Sequence, residues 1–391
     1  MSCSQYRTGD PETESIPTDC QPMKDPFPLL SFQDPFLRYS CASTPEVIQG
    51  LPRRYIVTWT VNSLVSNVEN QASHIDEDLV CPRGIIIYQD QIWAACMMSD
   101  VIVNYDLFGN KMIGSIRTRN NRRVSSFPSG IAANCGGSFS YNPGNTNIST
   151  RYAALITPTK TGDIVAYNPM VNERVSDVVL SQRDSRAGLN LYTGIAIVGN
   201  LMYLANFFQQ TIDVYNGDYI LQNNPGRNFV DNYTADPIPV DYSPINIVFI
   251  EPFLYVMYAQ RDPFRPAAEQ VGPNKGFISV FSLEGRFERR LVSRGRLNAP
   301  WSIIPAPCEC GIPPGSFMVS NIGSGEIVMY DKFGNDLGPI LGQAGVPIKI
   351  EGLQSLAPYY GDFNRIYFTA SSNPETNGLL GCLVVNQIIA I

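Results

Sequence analysis

The chain has 391 residues, enough for two or three ordinary domains or for one large all-β ring. It carries 28 Lys and Arg against 35 Asp and Glu, a net charge of −7, and the basic residues are scattered apart from short clusters at Arg117 to Arg123 and Arg286 to Arg296. That distribution excludes the basic face of a nucleic-acid binder, and no apolar run approaches the roughly 18 to 20 residues of a membrane-spanning helix. The single histidine, His74, removes most schemes in which imidazole serves as base or metal ligand.

Residues 1–50 differ from the rest, holding seven of the thirty prolines and seven acids against three bases, with no sustained alternation. They are expected to form an irregular arm. Its apolar points, Phe27, Leu29, Leu30, Phe32, Phe36, Leu37 and Tyr39, could lie on the main body or anchor another chain. The opening MSCSQYRTGDPETES lacks the basic and apolar regions of a secretory leader, so the expectation is a soluble chain whose export signal is absent or already removed.

Nine cysteines form no CxxC pair, which leaves a zinc site without a local framework. Cys3, Cys20 and Cys41 in the arm and Cys308 and Cys310 in a Pro/Gly loop are candidates for disulfides in an oxidising compartment. Free buried thiols are the alternative. Cys308 and Cys310 are more plausibly bonded elsewhere than to each other.

From residue 51 onward a three-part unit recurs: a short first strand after a small or turn residue, an aromatic-rich second strand, and an alternating third strand closing on Asp, Asn or Gly. The first unit comprises 82–87, 91–95 and 101–106, closing at Phe108-Gly109-Asn110. The second comprises 128–132, 152–156 and 162–168, and the third 192–197, 201–206 and 211–216. The fourth follows at 243–248, 254–259 and 276–281, the fifth at 299–304, 316–321 and 325–331, and the sixth at 352–356, 365–370 and 381–385. Equivalent positions 84, 130, 194, 246, 302 and 354 are 46, 64, 52, 56 and 52 residues apart, the period of a four-stranded propeller blade with variable loops. The sixth unit runs out of chain after its third strand, and the alternating stretch Tyr55 to Val61 can supply the missing one. The expected fold is therefore all-β, a six-bladed β-propeller over 51–391 closed by strands from both termini, behind an irregular Pro-rich arm over 1–50.

Several stretches carry a family likeness: Asn62-Ser63-Leu64-Val65-Ser66, Tyr203-Leu204-Ala205-Asn206-Phe207, Ser243-Pro244-Ile245-Asn246-Ile247, Asn274-Lys275-Gly276-Phe277-Ile278, Leu297-Asn298-Ala299-Pro300-Trp301 and Ile366-Tyr367-Phe368-Thr369-Ala370. From about Val57 to Val385 the chain resembles a family of uncharacterised, mostly bacterial, exported six-bladed β-propeller proteins related to the NHL-repeat group. The resemblance implies the fold and an extracellular location, and no settled activity. The chain departs from that pattern by its arm, which stands where an export signal is usual, and by inserts at Ser138 to Thr150 and Cys308 to Pro314. Association with a particle or virion is the alternative location.

There is no GxSxG, no phosphate-binding Gly loop, no HExxH and no EF-hand pattern, although propeller sites are built from one residue per blade and leave no local motif. Asn206 and Asn321 end second strands, while Asn246 and Glu351 lie at or beside first strands, where hard oxygen ligands converging on a channel could hold Ca²⁺. This resembles the channel metal of lactonase propellers. The bland reading is that such residues satisfy turn backbone groups. His74, flanked by acids, reads as a solvated loop residue, and Trp59, Trp93 and Trp301 read as core. Asn147 and Asn232 head glycosylation sequons that matter only in a glycosylating compartment. The expected function is a non-enzymatic binding or structural scaffold contacting protein partners, or further copies of itself, through its loops and residues 1–50. The alternative is a Ca²⁺-dependent hydrolase or lyase with its site at the channel.

Overall fold

The structure, a computed structural model, describes residues 55–118, 125–141, 151–169, 174–181, 190–222, 228–307, 313–362, 364–372, 375–386 and 389–390. Among these there are strands and turns and no α-helix, and no helix is long and apolar enough to cross a membrane. In chain order the strands are β1 (Tyr55–Ile56), β2 (Thr58–Ser66), β3 (His74–Ile75), β4 (Pro82–Tyr88), β5 (Gln91–Cys96), β6 (Val101–Tyr105), β7 (Ile116–Thr118), β8 (Ala132–Ala133), β9 (Ser140–Tyr141) and β10 (Arg151–Tyr152). Next come β11 (Leu155–Pro158), β12 (Asp163–Tyr167), β13 (Val175–Ser181), β14 (Tyr192–Val198), β15 (Leu201–Asn206), β16 (Thr211–Asn216), β17 (Tyr242–Ile250), β18 (Phe253–Gln260), β19 (Phe277–Phe281) and β20 (Phe287–Ser293). The last are β21 (Pro300–Pro305), β22 (Phe317–Asn321), β23 (Ile327–Tyr330), β24 (Asp336–Pro339), β25 (Leu341–Gly342), β26 (Leu353–Pro358), β27 (Arg365–Ala370), β28 (Leu379–Val385) and β29 (Ile389–Ala390).

Within the sheets, strands joined by short turns pair antiparallel, while the two-residue β3 pairs parallel with β2. The principal sheets are β14-β15-β16, β17-β18-β19-β20, β21-β22-β23-β24, and an eight-stranded sheet in which β4-β5-β6-β7 joins β13-β12-β11-β8 through a two-residue parallel pairing of β7 with β13. A further sheet mixes the two ends of the chain: β26, β27 and β28 are followed by β2, whose Trp59 to Ser66 pair with Val385 to Leu379. The closing strand thus starts three residues later than the expected Tyr55 and reaches five beyond Val61. The first strands form a closed circuit of neighbours, β4 beside β8, then β14, β17, β21 and β26, which returns to β4. The arrangement is propeller-like.

The apolar residues of the second and third strands are buried on both faces because each sheet is covered by the next. Ile92, Ala94 and Val103 pack with Tyr367 and Leu380 of the terminal sheet, and Tyr255 meets Phe317 at 5.2 Å between ring centroids. Trp59, Trp93 and Trp301 are buried as the sequence predicts.

Two turns between third and fourth strands repeat the sequence Tyr-Asp-x-Phe-Gly-Asn. Asp106 Oδ1 accepts hydrogen bonds from the backbone N–H groups of Phe108 and Asn110, each at 2.9 Å, and Oδ2 accepts one from Asn110 Nδ2 at 2.8 Å. Asp331 binds Phe333 and Asn335 in the same way, at 2.8, 2.8 and 2.7 Å. Glycine is required at 109 and 334, where φ is +93° and +91°. Burial opposes ionisation of both carboxyls, but the hydrogen bonds from Asn110 or Asn335 and the neighbouring amides win and hold each below the usual range. Asp331→Ala is expected to lower stability by about 1 kcal/mol in urea unfolding at pH 7. Because the folded pKa is depressed, that contribution is present above about pH 4 and fades as pH falls through the folded value, so wild type and variant should converge in acid.

Candidate functional site

The first strands carry a β-bulge where they converge. Pairing slips between Pro82 and Gly84, Tyr192 and Gly194, Pro244 and Asn246, Pro300 and Ser302, and Leu353 and Leu356. Proline suits these places because the strand start and the bulge need no ladder N–H there, and a bulge re-aims the residues that follow. The result is a narrow neck. A Cβ on Gly84 would stand 2.8 Å from Gly130 Cα, and one on Gly194 would stand 2.7 Å from Asn246 Cα, so backbones touch there as only glycine allows.

Side chains close the neck around the rest of the ring. Ser129 Oγ donates to Tyr192 O at 2.6 Å, Asn246 Nδ2 to Trp301 O at 2.7 Å, and Ser355 Oγ to Arg83 O at 2.7 Å. Trp301 Nε1 also donates to Arg83 O, at 3.0 Å. The sequence repeat aligned Gln354 with Gly84; the structure places Ser355 in that role, because β26 carries one extra residue between Leu353 and Leu356.

On the side of the neck where the first strands begin, four charged groups from four separate stretches of the chain meet. Arg83, 3% exposed, pairs through Nη1 with Glu269 at 3.2 Å and through Nη2 with Glu375, and its guanidinium lies 5.1 Å from the Trp301 ring centroid. Burial pushes the Glu269 carboxyl up, but the charges of Arg83 and Lys160, a backbone amide and the Arg83 hydrogen bond overcome it and hold the pKa at about 2. Lys160 is held below the usual lysine range by burial and then by Arg83, against the pull of Glu269 and Glu375. The cluster comes from the start of β4 and the turns β11 to β12, β18 to β19 and β27 to β28.

Beyond the neck the first strands line a cavity of about 350 Å³, walled by Ile85, Ile87, Ile131, Ile197, Ile247 and Ile303 among others, with Tyr360 and Pro305 near the turns into the second strands. Of the metal candidates, only Asn246 lines it; Asn206, Asn321 and Glu351 are not among its lining residues. Asn206 Oδ1 accepts from Leu191 N at 3.3 Å and Asn321 Oδ1 from Asn298 N at 2.8 Å, so both hold the loop that leads into a first strand. Glu351 is exposed at a turn. Among the described residues there is no group of three or more His, Cys, Asp or Glu placed to hold a metal ion.

His74 sits half-buried in β3 beside Val65. Asn232 is exposed in a loop, while Asn147 lies outside the described residues. Cys81, Cys96 and Cys382 are free and buried, Cys135 is disulfide-bonded, and Cys3, Cys20, Cys41, Cys308 and Cys310 lie outside the described residues, as does the arm 1–50. Sequence reasoning missed Arg83, Lys160, Glu269 and Glu375. The one usable signal was a charged residue at 83, where the other units carry Ser129, Thr193, Ile245, Trp301 or Leu353.

The fold and channel define an all-β protein with a propeller-like ring of sheets. A structural genomics protein of unknown function from Bacteroides thetaiotaomicron has a similar fold, with a TM-score of 0.54 and 9% identity, over 84% of this chain and 76% of that one. No protein-family model matches the chain. It is 46% identical to uncharacterized protein L690 of Acanthamoeba polyphaga mimivirus over 95% of this chain and 98% of that protein. It is 43% identical to uncharacterized protein R648 of the same virus over 100% and 98% respectively. The chain belongs to the family of these mimivirus proteins.

Proposed function

We propose that the protein is a non-enzymatic binding or structural scaffold, a six-bladed ring whose loops and residues 1–50 contact protein partners or further copies of the chain, as part of a particle or coat. The count of six is supported by the closed circuit of first strands and by dividing the eight-stranded sheet at its short β7 to β13 pairing, where two outer strands meet. The observation that carries the functional reading is the use made of the neck. Ser129, Asn246, Ser355 and the Trp301 indole, polar groups at the neck, each bond to a carbonyl of another sheet and so hold the ring together. Such a ring is a rigid platform for variable loops.

The test compares the full chain with a chain beginning at residue 51 by light scattering and circular dichroism. The shorter chain is expected to keep the β-sheet spectrum and melting temperature but to lose an assembly that the full chain forms. An unfolded shorter chain, or an identical assembly state, would refute the assignment. The second reading, a Ca²⁺-dependent hydrolase or lyase, draws on Asn246 at the channel wall and the charged cluster on the axis. Stoichiometric Ca²⁺ in the purified protein that Asn246→Ala removes would favour it over the scaffold.

A further inference from the structure

The cavity beyond the neck has a chemistry that the scaffold reading does not use. Most of the residues along it are aliphatic, among them Ile87 on β4, Ile197 on β14 and Val248 on β17, which are half-buried there. Its volume of about 350 Å³ falls in the range of small-molecule pockets, roughly 300 to 1,000 Å³. Among the described residues Arg83 is the one charged residue along the lining, and Glu269 and Glu375 already engage its guanidinium. A carboxylate or ammonium entering the well would therefore lose water without gaining a counter-charge.

The well is not a purely hydrocarbon surface. β4, β8, β14, β17, β21 and β26 each stand at the end of their sheets, paired along one edge only among the described residues. Their other edges face the axis, and the backbone N–H and C=O groups there can serve a hydroxyl, amide or ester. At about 30 Å³ per heavy atom, the share a water takes in the liquid, the volume holds roughly ten to twelve heavy atoms.

We infer that this well is a binding site for an uncharged small molecule made mainly of aliphatic carbon and carrying one or two polar groups, of about the size of a ten-carbon alcohol. The neck closes the inner end of the site, and the ligand enters past Tyr360 and Pro305.

The experiment uses the full chain and three probes, n-decanol, decanoate and decylammonium, each followed by calorimetry and by displacement of the uncharged fluorophore N-phenyl-1-naphthylamine. Decanol should bind saturably with one site per chain, at least tenfold more tightly than either charged analogue at pH 8. Ile197→Trp and Ile87→Trp, which fill the wall, should each weaken decanol at least tenfold, while Phe264→Ala, on an exposed loop between β18 and β19, should leave it unchanged. Ile197→Ala enlarges the well and should shift the preference from decanol to dodecanol, which gives a readout even where a tryptophan variant fails to fold. Absence of saturable decanol binding, equal affinity for decanol and decanoate, or affinity indifferent to all the Ile87 and Ile197 variants would overturn the assignment. None of these outcomes depends on whether the chain assembles, so the scaffold reading stands or falls separately.

Discussion

Arg83→Met is expected to lower the stability of the ring by about 3 to 5 kcal/mol at pH 7, the usual cost of breaking a buried ion pair from one side. Methionine keeps the aliphatic stem, so the loss reports the guanidinium itself, its two ion pairs together with its contact on the Trp301 ring. Glu269, 13% exposed on its side chain, would then be a nearly buried carboxylate supported by Lys160 and a backbone amide alone. The pH dependence gives the sharper measurement. In the wild type the Glu269 pKa is depressed to about 2, so its contribution is complete above the unfolded value near 4.5 and is lost as pH falls from there toward 2. In the variant, burial without Arg83 drives the same pKa up, so protonation relieves strain and stability should rise as pH falls through that higher value. The difference between the two proteins in urea unfolding should therefore shrink from pH 7 to pH 3. A constant difference would mean that Arg83 acts through packing alone. Arg83→Lys should recover only part of the loss, since one ammonium cannot span two carboxylates held on opposite branches of a guanidinium.

Gly84→Ala should cost about 3 kcal/mol, although it adds a single methyl group. The added Cβ would lie 2.8 Å from Gly130 Cα and 2.9 Å from Gly130 C and Ile131 N, all backbone atoms that no rotamer change can move. Gly130→Ala is the internal control. Its Cβ would meet the Ile195 side chain at 3.3 Å and the Pro158 ring at 3.4 Å, neighbours that can give by a few tenths of an ångström, so a cost below about 1 kcal/mol is expected. Denaturant midpoints of the two variants decide the matter. Equal costs would show that the first strands do not touch at the neck as described.

The contrast between these two sites shows how legibility in the sequence ran out. The second strands were plain, because a stretch such as Leu201 to Asn206 is covered on both faces and reads as an unbroken apolar run. The closing strand was legible by a different signal, the alternation of Trp59 and Val61 with polar neighbours, although its boundaries shifted and Val61 is exposed. Gly84, Gly130 and Gly194 appeared as a repeated position without showing which of them touches backbone. Asn206 and Asn321 suggested ligands because the ends of second strands lie near the channel in sequence order, whereas their carbonyl oxygens face the loops at Leu191 and Asn298.

What the sequence determined by itself was periodicity. Local pattern is set by the side chains a strand must bury, and it repeats wherever the same burial recurs. Only the tertiary structure decided that Arg83 pairs with Glu269, 186 residues away, and with Glu375, 292 residues away. The same holds for the neck and the aliphatic well, which exist because strands distant in sequence bulge toward one axis. Strands far apart in the chain each contribute single residues or one backbone edge to these features, so no segment of the chain carries them until the ring is closed.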